Sequence, residues 1–175
     1  MMGGDVKTSE RADADFTAFV EGAQPRLSRV AVLLTGNRAT AEDLLQEAFI
    51  RTYLNWGKVR PQGAYSYTRR ILVNLNTDRW RRRHLEPVVG DIGDDHVSAA
   101  ASRGYATVDH RDSIVHELAG LSDRERTIVV LRYFLDLSER QVAEELDISV
   151  GTVKSTCSRA LARLGTQRVG EGRLS

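Results

Sequence analysis

With 175 residues, 41% of them hydrophobic, the chain can hold one ordinary domain or two small ones, and few aromatics with only three Pro favour an all-α class. Its single cysteine, Cys157, excludes an internal disulfide; with no apolar run near the length of a membrane span and no signal-peptide core, a cytoplasmic protein without direct membrane insertion is expected. The net charge of +1 hides a segregated distribution: residues 57–83 hold eight Lys/Arg and one acid, residues 84–148 six and fourteen, and residues 149–175 five and one.

In chain order, residues 1 to about 12 are polar. Phe16, Phe19, Val20, Ala23, Leu27, Val30 and Leu34 then recur at helical spacing up to Gly36, with Pro25 expected to kink or split the helix. Thr40-x-x-Asp43 resembles a capping box and predicts a second helix through about Trp56, packing through Leu44, Leu45, Ala48, Phe49 and Trp56. A loop at residues 57–63 carries Lys58, Arg60 and Pro61. A third helix follows over residues 64–83, with Ile71, Leu72 and Leu75 inward and Arg69, Arg70, Asn74, Asp78 and Arg81 to Arg83 left for solvent or ligand. These three helices make one compact N-terminal domain, residues 13–83. Trp80 fits a core or edge position better than a stacking platform.

Residues 84–111 have Gly, Pro, Ser and Asp without sustained periodicity and read as a flexible acidic linker that lets the two halves be spaced variably. Asp91, Asp94, Asp95 and His96 match no calcium-loop or zinc spacing, so no metal and no other cofactor is expected. The C-terminal domain, residues 112–166, announces its helices by capping boxes: Ser122-x-x-Glu125 and Ser138-x-x-Gln141, in each of which the Ser oxygen accepts an orphan N–H while the Glu or Gln reaches back. Val142, Ala143 and Leu146 form one apolar stripe. Asp147-Ile148-Ser149 interrupts it, and a second stripe follows at Val153, Cys157, Ala160, Leu161 and Leu164.

That pattern is a helix-turn-helix. The opposite face of its last helix presents Thr152, Ser155, Thr156, Arg159 and Arg163, flanked by Lys154 and Ser158, an acid-free surface suited to the major groove, and Gly151 permits close backbone approach. No Ser/His/Asp or Cys/His arrangement, phosphate-binding Gly loop or metal-spaced His cluster occurs, so the chain is not expected to be an enzyme.

With two basic helical blocks separated by a tether, residues 13–166 resemble the extracytoplasmic-function class of sigma-70-family initiation factors. AEDLLQEAFIRTY (residues 41–53) and RRILVNLNTDRWRRR (residues 69–83) look like parts of sigma region 2, and SVGTVKS (residues 149–155) looks like the start of the recognition helix of sigma region 4. The nearest likeness is to the small actinobacterial SigE-like subgroup. The resemblance implies an all-α fold of two helical domains and a DNA-binding factor that joins core RNA polymerase and directs promoter-specific transcription initiation.

It also implies residue roles. Asp43, Gln46, Glu47, Phe49 and Tyr53 would face the polymerase beta prime clamp, the beta flap being a further polymerase contact. Lys58, Arg60, Arg69, Arg70, Asn74, Asp78, Arg79, Arg81 and Arg82 would meet minus-10 DNA, with Tyr65 near a captured base. Thr152, Lys154, Ser155, Thr156, Arg159 and Arg163 would meet the minus-35 element. Relatives often carry Arg where Thr156 stands, which implies an altered minus-35 preference. An anti-sigma protein is a candidate partner. A LuxR-type regulator shares the C-terminal pattern, but it needs a receiver or ligand-binding domain, usually α/β, where residues 13–83 show helical periods and a basic third helix.

Overall fold

The computed structural model describes residues 4–85 and 110–171, and among these every regular element is helical. The N-terminal half contains α1 (Gly4–Thr35), α2 (Arg38–Leu54) and α3 (Ala64–Leu85), with short 3-10 turns at Trp56–Lys58 and Pro61–Gly63 between α2 and α3. The C-terminal half contains α4 (His110–Ala119), α5 (Asp123–Val129), a π-helical turn (Val130–Phe134), α6 (Glu139–Leu146) and α7 (Val150–Glu171). Most of the expected linker, including the four residues weighed as metal ligands, lies outside the described residues.

Local sequence chemistry sets the helix boundaries. Both predicted capping boxes form: Ser122 and Ser138 accept the N–H of Glu125 and Gln141, whose side chains accept the Ser N–H groups in return. The start of α2 differs from expectation. Asn37, not Thr40, is its cap, with Asn37 Oδ1 accepting from Thr40 N at 2.9 Å. Either side chain could serve in principle, but Asn37 directly follows Gly36, whose φ of +64° ends α1 in the left-handed region that glycine adopts freely. Pro25 does not split α1 either. It sits on the exposed face, while Ala23 and Leu27 on both sides of it are buried, so packing carries the helix through the missing hydrogen bond. The sequence reading starts its C-terminal helices at Ser122; α4 precedes them and contributes buried Leu118.

α1, α2 and α3 pack as a three-helix unit, and α5 and α6 pack on α7. Two hydroxyls tie α2 to α3: Thr52 and Thr68, both fully buried, lie 2.9 Å apart at Oγ1. The two halves also touch. α1 lies against α4, α5 and the π turn, α3 lies against α5 and α6, and the buried apolar residues of both halves form one continuous cluster that includes Leu27, Leu34 and Leu72 with Ile128, Leu131 and Val142. The sequence predicts halves spaced variably. In the structure the two halves are in contact, with α1 presenting apolar residues to both sides.

Candidate DNA-reading faces and a docking groove

α1 and α2 border an open groove of about 690 Å³ lined by Phe16, Gln24, Leu45, Gln46, Phe49 and Tyr53 among others. Three of the five residues expected on this surface, Gln46, Phe49 and Tyr53, therefore line one depression. Asp43 and Glu47 stand one turn apart on the neighbouring face of α2, Asp43 exposed and Glu47 accepting from Arg51 Nε at 2.7 Å. The aromatic wall is larger than the sequence pattern indicates. Phe16 lies 5.0 Å from both Tyr53 and Trp56, centroid to centroid, and Phe19 packs on Phe49 and Trp56. Tyr53 donates its hydroxyl to Asp13 at 2.7 Å, and this bond to a carboxylate holds the phenol pKa above its ordinary value. Exposed Ile50 and Leu54 continue the apolar surface along α2.

α3 carries the basic residues expected to meet DNA, and the structure divides them. Arg70, Asn74, Asp78, Arg81 and Arg82 are exposed, as are Lys58 and Arg60 in the preceding turns, while Arg79 is half-buried. Arg82 Nε donates to the Asp78 carbonyl at 3.3 Å, one turn back on the same helix. Arg69 is different: its Nη2 donates to Glu145 of α6 at 2.8 Å, with the two side chains only 14% and 7% exposed. It is thus withheld from the surface where it was expected. Tyr65 is half-buried with the Arg26 guanidinium 4.8 Å over one face of its ring. Trp80 occupies the edge position expected of it and lines a cleft of about 220 Å³ with Arg124, Leu146 and Ile148.

α7 follows α6 through Asp147, whose φ of +53° makes the sharp turn of the helix-turn-helix. Ser149 caps it, accepting from Thr152 N at 3.0 Å. Lys154, Ser155 and Arg159 are exposed, with Lys154 Nζ 3.7 Å from Glu139, and Thr152 is half-exposed. Two expected DNA residues sit differently. Arg163 pairs with Glu125 at 3.2 Å while remaining 46% exposed. Thr156 is 2% exposed and points inward, because positions 153, 156, 157 and 160 form a single buried stripe at helical spacing; Leu161, expected inside, is exposed instead. The Thr156 side chain is therefore not on the outer face in this arrangement, and a missing Arg at this position does not by itself empty a base contact. Cys157 is buried, which raises its thiol pKa and suits a packing role.

Two family models match the sequence: "Sigma-70 region 2" over residues 19–86 and "Sigma-70, region 4" over residues 111–164. The chain is 38% identical to the RNA polymerase sigma-E factor of Streptomyces avermitilis over 86% of its own length and 83% of the relative's. It is 30% identical to the ECF RNA polymerase sigma factor SigW of Bacillus subtilis over 93% and 94%. The chain belongs to the extracytoplasmic-function sigma-factor family. Among solved structures, the sigma factor RpoE in complex with the anti-sigma factor NepR from Bartonella quintana shares the fold, with a TM-score of 0.60 at 24% identity over 86% of this chain and 94% of that one. So does CnrH in complex with the cytosolic domain of CnrY, at 0.59 and 18% over 89% and 88%.

As a sigma factor the chain directs transcription initiation, and the matched region 2 excludes the LuxR-type alternative. The described residues contain no cluster of three or more potential metal ligands and no helix long and apolar enough to cross a membrane. Asp13, Ile50 and Glu145 carry no local sequence signal of the places they occupy in the structure. Phe16 was identifiable only as an apolar residue of α1, since its partner Tyr53 is forty positions away, and Glu145 looked like an ordinary surface acid of an amphipathic helix.

Proposed function

We propose that this sigma factor docks on core RNA polymerase through the α1/α2 groove and the acidic edge of α2, with Asp43, Gln46, Glu47, Phe49 and Tyr53 as the principal contacts. A groove with an aromatic wall, flanked on α2 by exposed Asp43 and by Glu47, which pairs with Arg51, suits a helical polymerase element such as the beta prime clamp: burial anchors the complex and charge orients it. The C-terminal half reaches the beta flap. The exposed cations of α3 and its preceding turns, Lys58, Arg60, Arg70, Arg81 and Arg82, serve the minus-10 element together with Asn74, Asp78 and Arg79, and Arg69 joins them when it is released from Glu145. Thr152, Lys154, Ser155, Arg159 and Arg163 of α7 read the minus-35 element, Arg159 as the principal base reader. The chain acts in the cytoplasm, needs no cofactor and leaves the chemistry of RNA synthesis to polymerase.

The observation that carries this reading is the coexistence, in one family member, of an open groove on α1/α2, a basic α3 and an acid-free outer face on α7. An anti-sigma protein is a further proposed partner, since both structural neighbours named above are described in complexes, RpoE with an anti-sigma factor and CnrH with the cytosolic domain of CnrY. Footprinting of reconstituted holoenzyme on a cloned promoter tests the assignment. Arg159→Ala removes upstream protection, Arg81→Ala with Arg82→Ala weakens downstream protection, and Asp43→Ala weakens core binding while leaving the sigma factor's own DNA affinity intact. Equal loss of every activity in each variant refutes the division of labour.

A further inference from the structure

The cleft of about 220 Å³ beside Trp80 lies where α3 faces α5 and the end of α6, and its lining combines apolar walls with positive charge. Leu146 is buried, Trp80 and Ile148 are half-buried, and Arg81 and Arg124 are exposed at the rim. The Arg81 guanidinium stands 5.8 Å from the centre of the Trp80 ring. No acid lines the cleft. The nearby carboxylates are engaged elsewhere: Asp123 accepts from Arg83 at 2.7 Å and Glu145 from Arg69 at 2.8 Å. Among the described residues no ion pair holds Arg81 or Arg124. The hydroxyls of Thr77 and Thr127 donate to the Val73 and Asp123 carbonyls of their own helices, at 2.9 and 2.8 Å, so the two rim guanidiniums are the charged donors the cleft offers.

We propose that this cleft is a binding site for a small aromatic carboxylate, with the ring between Trp80, Leu146 and Ile148 and the carboxylate on Arg81 and Arg124. Each half of such a ligand answers one part of the lining. A planar carboxylate accepts paired N–H groups from a guanidinium, and the bond is stronger for carrying charge on both sides. The ring leaves water for an apolar wall and meets the indole as one aromatic group meets another. Size sets the class. An apolar cavity of about 150 Å³ takes up benzene, so the cleft has room for one ring and a short arm that reaches the rim. A nucleic-acid backbone would meet the same two guanidiniums but leave the walls formed by Leu146 and Ile148 unfilled, and the lining therefore favours the small ligand.

The chain carries its own reporters. Of its two tryptophans, Trp80 lines the cleft and Trp56 stands in the aromatic wall beside the docking groove, so their indole N–H signals in a proton–nitrogen NMR spectrum of the full chain read the two places separately. Trp56→Phe assigns the signals. Phenylacetate is the probe, with phenylacetamide as its uncharged counterpart and acetate as the anion without a ring. Phenylacetate is expected to shift the Trp80 signal saturably, with a Kd of about 1 mM or tighter, while phenylacetamide and acetate bind about tenfold more weakly or worse. Arg124→Gln should weaken phenylacetate about fivefold or more. Arg124 is exposed, so the fold tolerates the change, and unlike Arg81 it has no part in the DNA contacts proposed above. No saturable shift of Trp80 up to about 20 mM, about twentyfold above that Kd, overturns the site. Equal binding of phenylacetamide, or binding unchanged in Arg124→Gln, overturns the anion contact, and an equal response at Trp56 shows adventitious association with aromatic surfaces only. If a random-sequence oligonucleotide shifts Trp80 in a manner sensitive to Arg124→Gln and phenylacetate does not, the cleft serves nucleic acid and the proposal fails.

Discussion

Glu125 joins the start of α5 to α7, and its removal has a calculable cost. Its Oε2 accepts from Ser122 N at 3.0 Å, Ser122 Oγ at 2.9 Å and Arg163 Nη1 at 3.2 Å, with the carboxylate side chain 8% exposed. In Glu125→Ala the capping box loses its reciprocal half, worth about 1 kcal/mol. The pair with Arg163 adds only about 0.5 kcal/mol, because Arg163 is nearly half exposed and its charge is screened. The Ser122 hydroxyl loses a charged acceptor in a part-buried setting, a further cost of about 0.5 to 1 kcal/mol. The expected loss is about 2 kcal/mol, or about 4–8 °C in Tm for a chain of this size. Urea and thermal melts followed by circular dichroism measure it. Ser122→Ala alone should cost about 1 kcal/mol, and the double variant should be no more than about 0.5 kcal/mol below Glu125→Ala, since both changes dismantle the same box. Full additivity, or a loss under about 0.5 kcal/mol for Glu125→Ala, refutes the reasoning.

Arg159→Ala should weaken binding of a promoter duplex containing the upstream element by about 5- to 100-fold, the range of one lost base contact, whereas Thr156→Val should change it by less than about twofold because that side chain lies inside; quantitative mobility shifts at fixed salt distinguish the two. Tyr53 should titrate above the ordinary tyrosine value of 10 in an ultraviolet pH titration, and Asp13→Ala should bring it down; the native state holds this proton more tightly than the unfolded chain, so the bond's contribution is intact below pH 10 and is lost as pH rises through the raised value. A Tyr53 titration unaffected by Asp13→Ala contradicts that pairing. Cys157, buried and with a raised thiol pKa, should react with a thiol reagent far more slowly in the native protein than in urea, and equal rates would place it outside the core.

What could be read from the chain depended on sequence distance. The capping boxes at Ser122 and Ser138 span three residues each, and both form as expected because the residues that make them are local. The all-α class, the helix-turn-helix and the three N-terminal helices follow from periodicity over short windows. Where two local signals compete, the pattern misleads: Asn37 wins the cap from Thr40, and Pro25 is carried through α1 by buried neighbours. Thr156 looked like a member of the polar face by residue type, yet its offset from Val153 and Ala160 places it in the buried stripe. The closure of the halves was not legible at all. Arg69 and Glu145 are 76 positions apart and Asn76 and Thr127 are 51 apart, and no local period encodes a contact between surfaces that each look complete alone. Gln46, Phe49 and Tyr53 were recognisable through the family resemblance, whereas Phe16 entered the groove only through the packing of α1 on α2.

The most direct measurement is run-off transcription with purified core RNA polymerase, using a genomic library and mapping transcript starts with and without this chain. A set of new starts sharing two sequence elements upstream, lost with Asp43→Ala and with Arg159→Ala, is the predicted result. No chain-dependent start from any template would contradict promoter-specific initiation by this protein.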